Sequence, residues 1–131
     1  MKLLIDTHIL LWCLLDPKRL SRKVAIALQD PANEVWLSPI TTWEILVLCQ
    51  RGRLALAPDV TTWVSDALSR LSSKEAPITH EVAMATHTVN LAHRDPADHF
   101  LAATARVFDL TLVTADDNLI RGKGYRVLAN R

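Results

Sequence analysis

Glycine is scarce in this chain, three in 131 residues, and that scarcity removes whole classes of chemistry. There is no Gly-x-x-x-x-Gly-Lys-Ser/Thr loop to cradle a nucleotide phosphate and no Gly-x-Ser-x-Gly elbow to present a nucleophilic serine. Cysteine is rarer still. Cys13 and Cys49 sit inside apolar helical patterns without the paired spacing of a zinc site or a disulfide framework, so both read as buried thiols in a reducing compartment. The five histidines, His8, His80, His87, His93 and His99, form no His-Glu-x-x-His pair, which disfavours zinc on spacing. A dominant charge is also missing: 15 Lys+Arg stand against 14 Asp+Glu, a net +1. No global field attracts a polyanion, so any nucleic-acid site has to be a local patch. No apolar run reaches membrane-spanning length, and the opening Leu3-Leu4-Ile5 is far too short for a signal peptide. The expectation is a cytoplasmic protein with no membrane contact. At this length, with 50% hydrophobic residues, one domain over residues 1–131 has enough apolar material for a core.

What is present is alternation. Leu3–Ile5 reads as a buried strand ending at Asp6, followed by a helix through Trp12 to a stop at Asp16-Pro17. Ser21 can cap a second helix to about Gln29, and Val35–Ser38 reads as a second strand. Pro39 suits the first turn of a helix running to Arg51-Gly52, where the glycine can end it. Pro58-Asp59 opens another helix. A short extended segment at Ala76–Ile78 precedes a helix carrying Val82, Thr86 and Val89, and Asp95-Pro96 opens the helix that runs to Phe108. Leu110–Thr114 and Val127-Leu128 complete the strands. Strands alternating with helices imply an α/β domain with a mainly parallel sheet covered on both faces. In such sheets, sites gather beyond the carboxyl ends of the strands.

Four carboxylates fall where that rule matters. Asp6 follows the first strand and Asp116 follows Leu112-Val113-Thr114; either could simply cap a helix. Glu44 has Ile40, Thr41, Val47 and Leu48 as its helical neighbours, and a glutamate buried on such a face needs a partner charge or a metal. In Asp95-Pro96-Ala97-Asp98, Asp95 reads as the N-cap, whereas Asp98 also begins the face continued by Leu101, Ala102 and Ala105. Asp117 competes with Asp116 for the same role. His8, beside Asp6, reads as a surface or capping residue within reach of the site. Trp12, Trp36, Trp43 and Trp63 read as packing, with Trp12 and Trp63 also candidates for a partner surface. Arg51, Arg94, Arg121 and Lys123 are the candidate phosphate contacts, although such charges usually only face solvent.

Together, Leu-Leu-Ile-Asp6-Thr7-His8-Ile-Leu-Leu-Trp12, Trp43-Glu44-Ile45 followed by Gly52-Arg53-Leu54, His93-Arg94-Asp95-Pro96-Ala97-Asp98 with Leu101–Ala105, and Leu112-Val113-Thr114-Ala115-Asp116 resemble PIN-domain ribonucleases, specifically VapC-type toxins of toxin-antitoxin pairs. The resemblance spans nearly the whole chain, with its motifs in order. It implies a three-layer α/β/α sandwich around a mainly parallel sheet, a Mg2+ or Mn2+ site, RNA cleavage leaving 5′-phosphate and 3′-hydroxyl ends, a homodimer, and a small cognate antitoxin. By position, the family's acids fall on Asp6, Glu44, Asp98 and Asp116 as catalytic residues and metal ligands. Thr114 matches a supporting hydroxyl, and Thr7, Asp95 and Asp117 stand beside the set in secondary roles. Leu48 stands where many relatives carry lysine, and Ala97 replaces a frequent phenylalanine; neither touches the acids.

The chemistry suits the residues. A phosphodiester is anionic and resists attack by water, and hard divalent cations held by carboxylates neutralise it and acidify the water. Without metal, clustered carboxylates should repel one another and raise some of their own pKa values. Two other readings are a PIN-like module that binds RNA or protein without cutting, and a phosphatase using Asp6, the latter disfavoured because His8 occupies the position of the usual second aspartate.

Overall fold

Short apolar runs become the strands of the computed structural model, which describes all of residues 1–131. They are β1 (Lys2–Ile5), β2 (Glu34–Leu37), β3 (Lys74–Glu75), β4 (Thr111–Thr114) and β5 (Arg126–Ala129). The helices are α1 (Thr7–Leu15), α2 (Arg22–Gln29), α3 (Pro39–Gln50), α4 (Val60–Arg70), α5 (His80–Ala85), α6 (Pro96–Val107) and α7 (Asp117–Arg121), with a 3-10 turn at Pro17–Arg19. All five strands are parallel, in the order β3-β2-β1-β4-β5.

Two-residue periodicity divides the core into the two spaces of a three-layer sandwich. Leu3, Ile5 and Val113 point to one face and pack with Ile9, Leu10, Val24, Ile45 and Val64 from α1–α4. Leu4 and Leu112 point to the other and meet Leu101, Ala102 and Ala105 of α6 and Leu119 of α7. Full burial of a leucine or isoleucine contributes roughly 1.5–3 kcal/mol, so the near-continuous apolar strands hold the sheet from both sides. Ala102, Ala103 and Ala105 are all at most 1% exposed; their small side chains let α6 lie close to the sheet.

Caps fix where each helix begins and ends. The side chains of Asp6, Ser21, Ser38, Asp59, Thr79, Asp95 and Asp116 each accept a hydrogen bond from a first-turn N–H. At the end of α3, Gly52 has φ +69°, its N–H donates to the Cys49 carbonyl, and the Arg53 N–H donates to the Leu48 carbonyl. That paired closure needs a left-handed residue, which glycine supplies without a Cβ penalty.

Strand order reverses between β1 and β4, because β1, β2 and β3 run outward on one side and the chain then returns to place β4 on the other. This switch point opens a crevice at the carboxyl ends of β1 and β4. Four details depart from the sequence reading. The third strand lies at Lys74–Glu75 rather than Ala76–Ile78; it is an edge strand of two exposed polar residues, with no hydrophobic alternation to mark it. Helix α5 stops at Ala85 rather than reaching Val89, because the hydroxyls of Thr86 and Thr88 donate back to the Ala83 and Ala85 carbonyls. Cys13 and Cys49 are half-buried free thiols rather than core residues. Trp43 is 54% exposed rather than packed, since α3 turns Ile45 inward.

Candidate active site

Each of the four family-matched acids is delivered to the crevice by a different element. Asp6 follows β1 and caps α1, Glu44 sits in the middle of α3, Asp98 lies in the first turn of α6, and Asp116 follows β4 and caps α7. All four line one cleft of about 460 Å³, together with Thr7, His8, Trp12, Arg19, Asp95, Leu101, Ala115 and Leu119.

A neutral hydrogen-bonding scaffold holds the carboxylates. Asp6 Oδ1 accepts from the Ile9 N–H at 2.9 Å, and its Oδ2 accepts from the Thr114 hydroxyl. The same Thr114 oxygen accepts from the Asp116 N–H at 3.0 Å, so one hydroxyl ties together the ends of β1 and β4. The Thr7 hydroxyl donates to Glu44 Oε1 at 2.7 Å. His93 Nε2 donates to Asp98 Oδ2 at 2.7 Å, while the buried His93 Nδ1 has no partner. Asp116 Oδ1 accepts from the N–H groups of Asn118 and Leu119, at 2.8 and 3.4 Å, and Asp95 Oδ1 accepts from the Ala97 N–H at 3.0 Å.

No lysine or arginine pairs with Asp6, Glu44, Asp98 or Asp116; the only basic side chain bonded to the set is the His93 imidazole, on Asp98. Burial of an unpaired carboxylate favours its protonated form. Asp6, 6% exposed, is accordingly pushed up from its usual 3.8 to about 6, chiefly by desolvation, with the Thr114 and Ile9 hydrogen bonds opposing and the Glu44 charge adding to the rise. Glu44 is raised by burial first and then by the charges of Asp98 and Asp95, against the pull of the Thr7 hydroxyl. Asp98 is raised by burial, opposed by His93, and raised further by Asp95 and Asp116. The expectation that clustered acids raise one another's pKa thus has the right sign, but burial outweighs repulsion as the cause. The field reaches Tyr125, lifted to about 12 by its own burial and by the Asp98 and Asp116 charges.

The tightest group of possible metal donors is His93, Asp95 and Asp98, whose ligand atoms lie within 4.8 Å of one another. Asp6, Glu44 and Asp116 line the same cleft at greater spread, each held by its own hydrogen bond.

The secondary residues divide clearly. Thr7 and Thr114 anchor Glu44 and Asp6. Asp95 is the N-cap of α6 and also lines the cleft. Asp117 turns away to pair with Arg131 at the surface, leaving Asp116 as the acid of that pair in the cleft. Arg51, Arg94, Arg121 and Lys123 are exposed and none lines the cleft; the Arg121 side chain donates to the Asp117 carbonyl. Sequence reasoning passed over His93 and Arg19. His93 carried a weak signal, five residues before Asp98 in the quoted motif, while Arg19 carried none.

Residues 3–124 match the family described as the PIN domain. A curated relative, Ribonuclease VapC22 of Mycobacterium tuberculosis, is 30% identical over 117 residues, covering 88% of each chain. Among solved structures, VapBC2 from Rickettsia felis bound to a DNA fragment from their promoter superposes with a TM-score of 0.71 at 14% identity, over 98% of both chains. VapBC-5 from Mycobacterium tuberculosis, a member of the VapBC family of toxin-antitoxin systems, gives a TM-score of 0.59 at 18% identity, over 99% of this chain and 98% of that one. At such identities the two structures attest the fold alone.

Proposed function

The chain belongs to the PIN-domain family, among its VapC-type members, and from that premise we propose a divalent-metal-dependent endoribonuclease, the toxin of a toxin-antitoxin pair. The observation that carries the reading is the convergence of Asp6, Glu44, Asp98 and Asp116, from four separate elements, on one cleft with no lysine or arginine pairing any of them. The curated relative named a ribonuclease, VapC22, supports RNA as the substrate, and the VapC-type membership it shares with this chain supports a cognate antitoxin as partner. A homodimer in the cytoplasm completes the proposal.

The donor set fits Mg2+, with Mn2+ as the alternative. These are hard cations that take oxygen ligands, and the cleft offers carboxylate oxygens whose orientations are already fixed by Thr7, Thr114, His93 and backbone N–H groups. Asp6 and Asp98 are assigned as the anchoring ligands, with Glu44 and Asp116 completing the site. When bound, the cation supplies positive charge that offsets the anionic phosphate and lowers the pKa of attacking water.

The protein's own residues supply the rest. Thr114 holds Asp6 and the Asp116 backbone in register, which ties the ends of β1 and β4 together. Glu44 keeps Oε1 on Thr7, which leaves Oε2 to take a proton from water. Attack of that water at phosphorus forms the new P–O bond of a 5′-phosphate and breaks the bond to the 3′ oxygen, which takes up a proton from solvent to leave as a 3′-hydroxyl, while Glu44 returns the proton it took to solvent.

The experiment is cleavage of RNA by purified protein with Mg2+, beside Asp6→Asn and Asp98→Asn, with both ends of the products identified. Loss in both variants supports the reading. Equal activity in all three proteins sinks it, and RNA binding without any cutting points instead to a silent PIN-like module. For the toxin role, the expected sign is a small adjoining open reading frame whose product suppresses cleavage.

A further inference from the structure

The cleft has a second wall of different chemistry. Against its carboxylates it carries one permanent cation, Arg19. Arg19 forms no salt bridge with any of those acids. Its guanidinium lies instead over the ring of Trp12, 4.5 Å from the centroid, and His8, one helical turn before Trp12 on α1, stands 5.8 Å from the same ring.

The arrangement is built rather than incidental. Arg19 ends the 3-10 turn that follows α1, and Asn130, just beyond β5, clamps the backbone around it: Nδ2 donates to the Arg19 carbonyl at 3.0 Å and Oδ1 accepts from the Ser21 N–H at 2.6 Å. The Asn130 N–H in turn donates to the Thr114 carbonyl at 2.8 Å. The support of Arg19 therefore reaches the residue whose hydroxyl holds Asp6. Leu20 packs against the core beside it.

We propose that Trp12, Arg19 and His8 form a shelf on the cleft wall that grips an unpaired nucleotide next to the scissile phosphate, the Arg19 N–H fork taking a phosphate and the Trp12 ring, with the tilted His8 ring beside it, taking the base. The inference rests on the ribonuclease reading and adds the grip that reading lacks. Apart from a bound cation, Arg19 is the only permanent positive charge this cleft of carboxylates offers a polyanion. Single-stranded RNA is held by stacking on aromatic rings and guanidinium planes, arginine binds phosphate through a fork that lysine cannot reproduce, and Arg19 has no side-chain hydrogen bond of its own to give up.

The test uses full-length protein, Mg2+ and a pool of short unstructured RNAs of random sequence, with wild type compared with Arg19→Ala, Arg19→Lys and Trp12→Phe. Arg19 is exposed, so its removal leaves the core intact, and thermal midpoints check this. Loss of one stacked base and its phosphate contact should raise KM about tenfold, with kcat changed less. Arg19→Lys should recover only part of that loss, and the sequenced cut ends should show an altered base preference beside the cut. A merely structural role would shift the thermal midpoint without moving that preference. Unchanged KM and cut preference in Arg19→Ala, with wild type active, overturns the shelf and leaves the ribonuclease reading standing. If wild type does not cut, the ribonuclease reading fails, and the shelf is judged by fluorescence anisotropy on the same pool: Arg19-dependent binding upholds it, and absent or Arg19-independent binding overturns it. Normal RNA cleavage by Arg19→Ala combined with escape from the antitoxin would assign the surface to the protein partner and also overturn it.

Discussion

The two ends of the sheet use the same residue types in opposite ways. At the amino ends, Glu34 pairs with Lys74 at 2.9 Å and Asp109 pairs with Arg126 at 2.8 Å, and the Asp109 side chain is 84% exposed. At the carboxyl ends, Asp6 and Asp98 are 6% and 8% exposed and touch no lysine or arginine. Exposed pairs of the first kind contribute little, since water already solvates both charges. Buried carboxylates of the second kind work against folding unless something offsets them. The sheet therefore tolerates unfavourable charge at one end only, and that is the end where the strand order reverses and a ligand can enter. The contrast marks the carboxyl end as the working end.

The largest expected effect lies in catalysis. Asp98→Asn should cut RNA cleavage by about a thousandfold, several kcal/mol of lost metal-assisted stabilisation, whereas Asp109→Asn, in the turn beyond the far end of the same helix, should leave the rate unchanged. Single-turnover cleavage of one RNA by both variants reads this directly.

Stability should move in the reverse sense. Raising Asp6 from 3.8 to about 6 corresponds to about 3 kcal/mol against the ionised folded state. Because the folded-state value is the higher one, the contribution of Asp6 to stability is complete below pH 3.8, where folded and unfolded chains both hold the proton. It is lost as pH rises through about 6. Metal-free Asp6→Asn should therefore be more stable than wild type near pH 7, and the gain should vanish near pH 3; denaturant melts at the two pH values with chelator present decide it.

A smaller effect belongs to the scaffold. Thr114→Val removes the donor to Asp6 and the acceptor for the Asp116 N–H, and should weaken divalent-cation binding by roughly 10- to 100-fold while leaving the apolar packing of β4 in place. Its loss also removes a bond that lowers the Asp6 pKa, so the defect should be larger at pH 6 than at pH 8. The smallest effect is expected at the amino end: Lys74→Gln should change neither cleavage nor the thermal midpoint measurably, because its partner Glu34 is solvated there.

Much of this contrast was legible in the sequence. The strand ends at Asp6 and Asp116 are marked by apolar runs that stop abruptly, and Glu44 stands out as a charge among Ile40, Thr41, Val47 and Leu48. Local caps and runs leave a local trace. What the sequence did not yield was pairing between distant positions: Thr114 with Asp6 spans 108 residues, Thr7 with Glu44 spans 37, and Asn130 with Arg19 spans 111. Arg19 left no signal in the sequence because the 3-10 turn and the clamp that set it beside Trp12 follow from tertiary placement. Asp117 could not be told from Asp116 by position; the structure separates them by turning Asp117 out to Arg131. The edge strand at Lys74–Glu75 was displaced in the sequence reading because an exposed strand of two polar residues lacks the periodicity that marks a strand.

The central claim, that the carboxyl-end acids form a divalent-cation site, is tested most directly by calorimetric titration of Mg2+ and Mn2+ into wild type, Asp6→Asn, Asp98→Asn and Asp109→Asn near pH 6, in two buffers of different protonation enthalpy. Binding with proton release in wild type and Asp109→Asn, lost in Asp6→Asn and Asp98→Asn, is the predicted result. Equal binding in all four proteins, or none in wild type, contradicts it.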